Sequence, residues 1–159
     1  MNVGVSASWV EQPLKRFVTD ARVLHAVVLA PSGQVLGQHG FTRAMDVMSA
    51  CALSAAIHAS SAELGKQLDG QPFSGLHHAG REKQIFLSST DTPHGTVLLL
   101  TVFDQETSLG LVQLYFRELC DGLKASVPEL ASSEVMLPEN FERDLNKSLA
   151  VLFGRANAG

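Results

Sequence analysis

The segment from Val47 to Ala62 constrains this chain more than any other, because it holds no Asp, Glu, Lys or Arg. Val47, Met48, Ala50, Cys51, Ala52, Leu53, Ala55, Ala56, Ile57, Ala59 and Ala62 are interrupted only by Ser49, Ser54, His58, Ser60 and Ser61. The alanine content favours a helix. Asp46 is placed to cap it, and Asp69-Gly70-Gln71-Pro72 follows its expected end near Leu68. A helix that is apolar all round must be buried all round. In a chain of 159 residues, one domain on the usual size prior, one side of such a helix can lie on a sheet and the other needs a partner. Ala52, Ala55, Ala56, Ala59 and Ser60 are small enough to let a second backbone come close. Helix propensity alone would also account for the alanines.

Hydrophobic residues make up 45% of the chain, enough for a real core, and charged residues only 18%. The low charge fraction again points to an apolar face covered by a partner. A net charge of −4, with basic residues scattered singly or in pairs such as Lys15-Arg16, argues against nucleic-acid binding. Cys51 and Cys120 are far apart and form no CxxC, as expected of buried, reduced thiols in a cytosolic protein. Met1 to Val10 has neither a basic nor an apolar leader region, so no signal peptide is expected. The apolar stretches are broken by Ser, Thr or His, so no membrane span is expected.

Along the chain, Ser8 is placed to cap a first helix to about Ala21, with Leu14, Phe17 and Val18 on one face. Leu24–Ala30 and Val35–Gly40 read as a hairpin around Pro31-Ser32-Gly33. After the long helix come a short strand at Phe73–Ala79, a strand at Gln84–Ser89, a turn at Asp91–Gly95 and a strand at Thr96–Phe103. The last is nearly continuous in apolar residues and should be central. Thr107 or Ser108 can cap a helix over Leu109–Ala125. Residues 127–138 read as a linker containing Pro128 and Pro138, and residues 139–159 as a final helix and tail. Phe141, Leu145, Leu149, Leu152 and Phe153 give that helix one apolar stripe, which either docks on its own domain or meets a partner. Residues 1–126 form the main domain.

No catalytic pattern stands out. There is no GxxxxGK[ST] loop, no GxSxG and no GxGxxG. His77 and His78 are adjacent on a strand and point to opposite faces, and His25, His39, His58 and His94 show no metal-ligand spacing. No metal and no cofactor is expected. Asp104 and Glu106 read as carboxylates at a helix entry.

The segment Phe103-Asp104-Gln105-Glu106-Thr107-Ser108-Leu109-Gly110-Leu111-Val112, continuing to Leu114, resembles the Roadblock family, in particular its bacterial MglB-like branch. Pro31 to Leu36 is similar to that family's hairpin, and Phe73 to Gly80 is a weaker match. The resemblance covers roughly residues 8–125, and the final helix is similar to the C-terminal helix of MglB-like proteins. It implies an α+β, Roadblock/profilin-like fold: a five-stranded antiparallel sheet, the long helix on one face, the first and third helices on the other, plus a C-terminal helix. It implies a homodimer whose edge strands, Phe73, Ser74, Gly75, Leu76, His77, His78 and Ala79, pair across a two-fold axis. It further implies that the long helices present Ala52, Ala55, Ala56, Ala59, Ser60 and Glu63 to an MglA-type Ras-like small GTPase and speed its GTP hydrolysis. Ala59 matches a small GTPase-facing position. Glu63 falls where MglB-like relatives tend to carry a small residue, and a long carboxylate there would hinder a close fit or select a different GTPase. The implied setting is the cytoplasm, at a cell pole, in the control of polarity or motility. No residue is implied to be catalytic, because the GTPase would be positioned rather than supplied with an arginine from Arg43 or Arg81. The alternative is a Roadblock scaffold that binds a GTPase or another Roadblock protein without changing turnover.

Overall fold

The structure is a computed structural model that describes residues 7–126. The predicted linker at 127–138 and the final helix with Phe141, Leu145, Leu149, Leu152 and Phe153 lie outside the described residues. The elements are α1 (Ser8–Ala21), β1 (His25–Leu29), β2 (Val35–His39), α2 (Ala44–Asp69), β3 (Gly75–Ala79), β4 (Gln84–Thr92), β5 (Gly95–Phe103) and α3 (Leu109–Ala125). The strands form one antiparallel sheet in the order β2-β1-β5-β4-β3.

β5 is central, as its apolar run requires, and its side chains divide between two cores. Val97, Leu99 and Phe103 join Ala26, Val28 and Phe86 beneath α1 and α3, which contribute Val10, Leu14, Phe17, Val112, Leu119 and Leu123. Leu98 and Leu100 join Val27, Leu29 and Leu87 on the opposite face, where Val47 and Cys51 of α2 cover them. The strict alternation along β5 sends neighbouring residues to opposite layers. The long helix therefore has one sheet face to itself, and the first and third helices share the other.

Element ends depart from the sequence reading in four places. Ser8 does not cap α1; Ala7 holds that position without a side-chain bond. The Ala7 N–H instead donates to the Leu36 carbonyl at 2.7 Å, tying the chain to β2. Asp46 does not cap α2 either, since the helix already begins at Ala44 with Arg43 before it. Asp46 sits in the first turn, 3.7 Å from the Arg43 guanidinium, where its charge suits the helix dipole. β3 starts at Gly75 rather than Phe73. β4 runs on to Thr92, so the β4–β5 connection is tighter than a turn over 91–95; Thr92 Oγ1 donates to the Gly95 carbonyl at 2.7 Å. Ser108 does cap α3, accepting from the Leu111 N–H at 3.3 Å.

Gly65 fixes how α2 meets the strand that follows it. A Cβ there would overlap the Phe73 backbone nitrogen and lie 2.7 Å from the Gln71 carbonyl oxygen and 2.8 Å from Phe73 Cγ. Two of those atoms are backbone, so the returning chain would have to move. Gly65→Ala should therefore destabilise the domain by about 1–3 kcal/mol in urea unfolding, although alanine is the better helix former. Gly110→Ala, whose Cβ would meet only Ser108 Oγ at 3.9 Å, should be neutral or stabilising in the same measurement.

Candidate functional site

The inner side of α2 is set by Val47, Cys51, Ser54 and Gly65, the buried residues of that helix. The turn at Gly33 lies against the same stretch, its Cβ position 3.7 Å from Ala52 Cα and 3.9 Å from Ala55 Cβ. The other side of α2 faces outward. Met48 is 63% exposed and Leu53 64%, and Met45, Leu64 and Leu68 are exposed with them. Within the described residues the helix is thus covered on one side only, and the expectation of burial all round is not met inside a single protomer. By length and composition α2 would also pass for a membrane-crossing helix, but its docking on the sheet through Val47 and Cys51 is the packing of a core helix.

Of the six α2 residues singled out from the sequence, Ala52, Ala56, Ala59, Ser60 and Glu63 are exposed on the outer side. Ala55 is half-buried at the flank of that surface and packs against the core beneath the helix. Glu63 lies 3.9 Å from Lys66, both well exposed, so the pair adds little stability. The charged groups of α2 gather at its two ends, Asp46 at the first turn and Glu63, Lys66 and Asp69 at the last. Between them lies an uncharged surface of alanine, serine, methionine and leucine. Sequence reasoning did not single out Met48 and Leu53 for this surface, because rotational setting on the sheet, not composition, turns them outward.

Beside α2 runs the β3 edge. Phe73 and Ser74 precede the strand; Gly75, His77, His78 and Ala79 are exposed, and Leu76 is half-buried against the α2-side core. The Ser74 carbonyl accepts from the Ser89 N–H at 3.1 Å and from Ser88 Oγ at 2.9 Å. His77 and His78 do lie on opposite faces. His77 Nε2 is 2.7 Å from Gln84 Oε1, and its ring stacks at 6.1 Å on Phe103. Among the described residues no strand pairs with the outer side of β3, whereas β2, the other edge, carries the Ala7 bond.

Chemistry elsewhere is sparse. The groove between α1 and α3, about 520 Å³, is lined by Gln12, Arg16, Asp20, Tyr115, Glu118 and Asp121 among apolar neighbours, without a Ser, Cys or His. Among the described residues no three His, Cys, Asp or Glu side chains gather as a metal site. Arg43 and Arg81 are both exposed, at the start of α2 and in the β3–β4 turn.

No family model and no curated protein matches the chain. Solved structures do. MglB from Myxococcus xanthus superposes with a TM-score of 0.65 at 26% identity, over 74% of this chain and 93% of that one. The gliding protein MglB from Thermus thermophilus gives 0.64 at 20% identity, over 76% and 91%. A Roadblock/LC7 domain from Streptomyces avermitilis gives 0.62 at 18% identity, over 76% and 96%. The sheet order, the lone helix on one face and these superpositions define a Roadblock/LC7 fold. Within that class the chain is MglB-like, in agreement with its Phe103–Leu114 segment.

The rotational setting of α2 has a direct test. Burial pushes the Cys51 thiol up to about 11 from its ordinary 9.0, so only about one in a thousand is ionised at pH 8. Cys51 should resist a maleimide at pH 8 in the native protein and react at once in denaturant. The folded state holds this proton more tightly than the unfolded state. Its contribution to stability is therefore full below pH 9 and is lost as the pH rises towards 11.

Proposed function

We propose that this chain is a homodimeric regulator of an MglA-type Ras-like small GTPase and has no active site of its own. The observation that carries the proposal is the uncharged outer surface of α2, with Ala52, Ala56, Ala59 and Ser60 exposed between Met48 and Leu53 at one end and Glu63 and Leu64 at the other. So much exposed apolar surface on one helix marks a place where another protein sits. The MglB-like fold supports a GTPase as that protein and a second copy of this chain as the neighbour along β3. Two α2 helices set side by side would offer one continuous platform to one GTPase. The setting is the cytoplasm, at a cell pole, in the control of polarity or motility.

The mechanism is positioning. Switch segments held against the α2 platform would bring the GTPase's own residues into register for hydrolysis. Arg43 precedes the first turn of α2, 3.7 Å from Asp46, and Arg81 sits at the far end of β3, so both lie outside the Ala52–Ser60 stretch. In a GTP hydrolysis assay with the MglA-type GTPase of the same organism, Arg43→Ala and Arg81→Ala should each leave stimulation within about twofold. An arginine finger would instead be worth about a thousandfold. Ala56→Arg and Ala59→Arg should each lower stimulated hydrolysis about tenfold or more, with the circular dichroism spectrum unchanged, because each buries an unpaired charge in the interface.

Glu63 favours a second reading. It stands exposed at the end of the platform, 3.9 Å from Lys66, where a long carboxylate would hinder a close fit. In that reading the chain binds a GTPase or another Roadblock protein as a scaffold. Co-elution with the GTPase while hydrolysis stays at its unassisted rate would decide for the scaffold.

A further inference from the structure

The seam between α1 and α3 lies on the sheet face opposite α2, and the proposed function leaves it unused. Pro13 and Gly122 bring the two helices close there: a Cβ on Gly122 would stand 3.5 Å from Pro13 Cβ. Beside that contact opens the groove of about 520 Å³, with Phe17 and Leu119 in its lining, a size common among clefts that bind other molecules. Its charge is one-sided. Asp20, Glu118 and Asp121 line it against Arg16 alone. Arg16 lies 3.6 Å from Asp20 of its own helix, and among the described residues Glu118 and Asp121 form no ion pair. Arg117 and Lys124, the basic residues of α3, fall roughly opposite Gly122 at about 100° per residue and do not line the groove. The acidic stretch has an apolar continuation. Leu111, Tyr115, Glu118 and Gly122 stand at i, i+4, i+7 and i+11, one row of α3, and Leu111 and Leu114 are exposed at its N-terminal end. Along α3 this surface thus runs from leucine to carboxylate.

We infer that this groove is a second docking surface, and that its occupant is a basic amphipathic segment of another protein, with leucine-type side chains set beside Lys or Arg. The apolar groups cover Leu111, Leu114 and the apolar lining of the groove, and the cations meet Glu118 and Asp121. Charge selects this occupant over the others. A second copy of the chain would bring a net charge of −4. Residues 127–159 carry five acidic side chains against three basic ones. A nucleic acid would set its phosphates against carboxylates. Because the groove and the outer side of α2 lie on opposite faces of the sheet, both can be filled at once, and the chain then joins its two partners. The inference stands on the groove alone and does not need the GTPase reading.

Fluorescence anisotropy on the full chain tests it. The probe is a labelled synthetic amphipathic helix of leucine and lysine, and its control is the same helix with glutamate for lysine. The lysine helix should bind and the glutamate helix should not. Glu118→Lys and Asp121→Lys together should weaken binding about tenfold or more. The circular dichroism spectrum should not change, because both side chains are exposed. The neutral pair Glu118→Gln and Asp121→Asn should weaken binding less, in the same direction. Ala56→Arg, on α2, should leave it unchanged. Equal binding of both helices, binding of neither, binding that survives the double lysine variant, or binding lost in Ala56→Arg instead overturns the inference. So does a probe that binds only once Leu145 and Leu149 are both changed to Asp, which makes segment 139–153 of the same chain the occupant. A change of sedimentation in the double lysine variant overturns it too, because the occupant is then a second copy.

Discussion

The apolar surface of α2 exceeds what one face of a five-stranded sheet can cover, and the rest of the architecture follows from that excess. Val47 and Cys51 meet the sheet through Leu98, Leu100 and Leu87. The remaining turns of the helix have nowhere within the described domain to go. Each exposed leucine or methionine on that side forgoes about 1.5–3 kcal/mol of burial, and between Asp46 and Glu63 the helix carries no charged side chain. A globular domain tolerates single exposed apolar residues, but a contiguous uncharged row of them is a surface awaiting contact.

The other sheet face shows what a closed layer looks like. There α1 and α3 lie side by side and bury Phe17, Phe86, Phe103 and Leu123 with their neighbours. Trp9 stacks on His94 at 4.0 Å and fastens the β4–β5 turn to α1. Among the described residues the domain is thus two-sided: α1 and α3 complete one face, and on the other the outer side of α2 is uncovered. The MglB-like superpositions place it in a class in which the same sheet and lone helix recur at low sequence identity.

Much of this was legible in the sequence, because periodicity reports burial directly. The unbroken run from Val97 to Leu100 marked β5 as central, and Ser108 announced the start of α3 through a side chain that can only help there. Asp46 misled, since an acid in the first turn and an acid at the cap look alike in sequence and differ only by backbone geometry. The half-burial of Ala55 was not legible for a related reason. Alanine says nothing about which way it faces, and only the contact with the Gly33 turn and the sheet turned it inward.

One bond described at the start of α1 has a larger reach than its 2.7 Å suggests. By occupying the Leu36 carbonyl, the Ala7 amide blunts β2 and leaves β3 the more open of the two rims among the described residues. Strands with two open rims can add copies without end and grow into ribbons, whereas an object with one such rim is satisfied after a single addition. Blunting one edge in this way lets a fold keep a sticky strand at the other with less hazard of fibres.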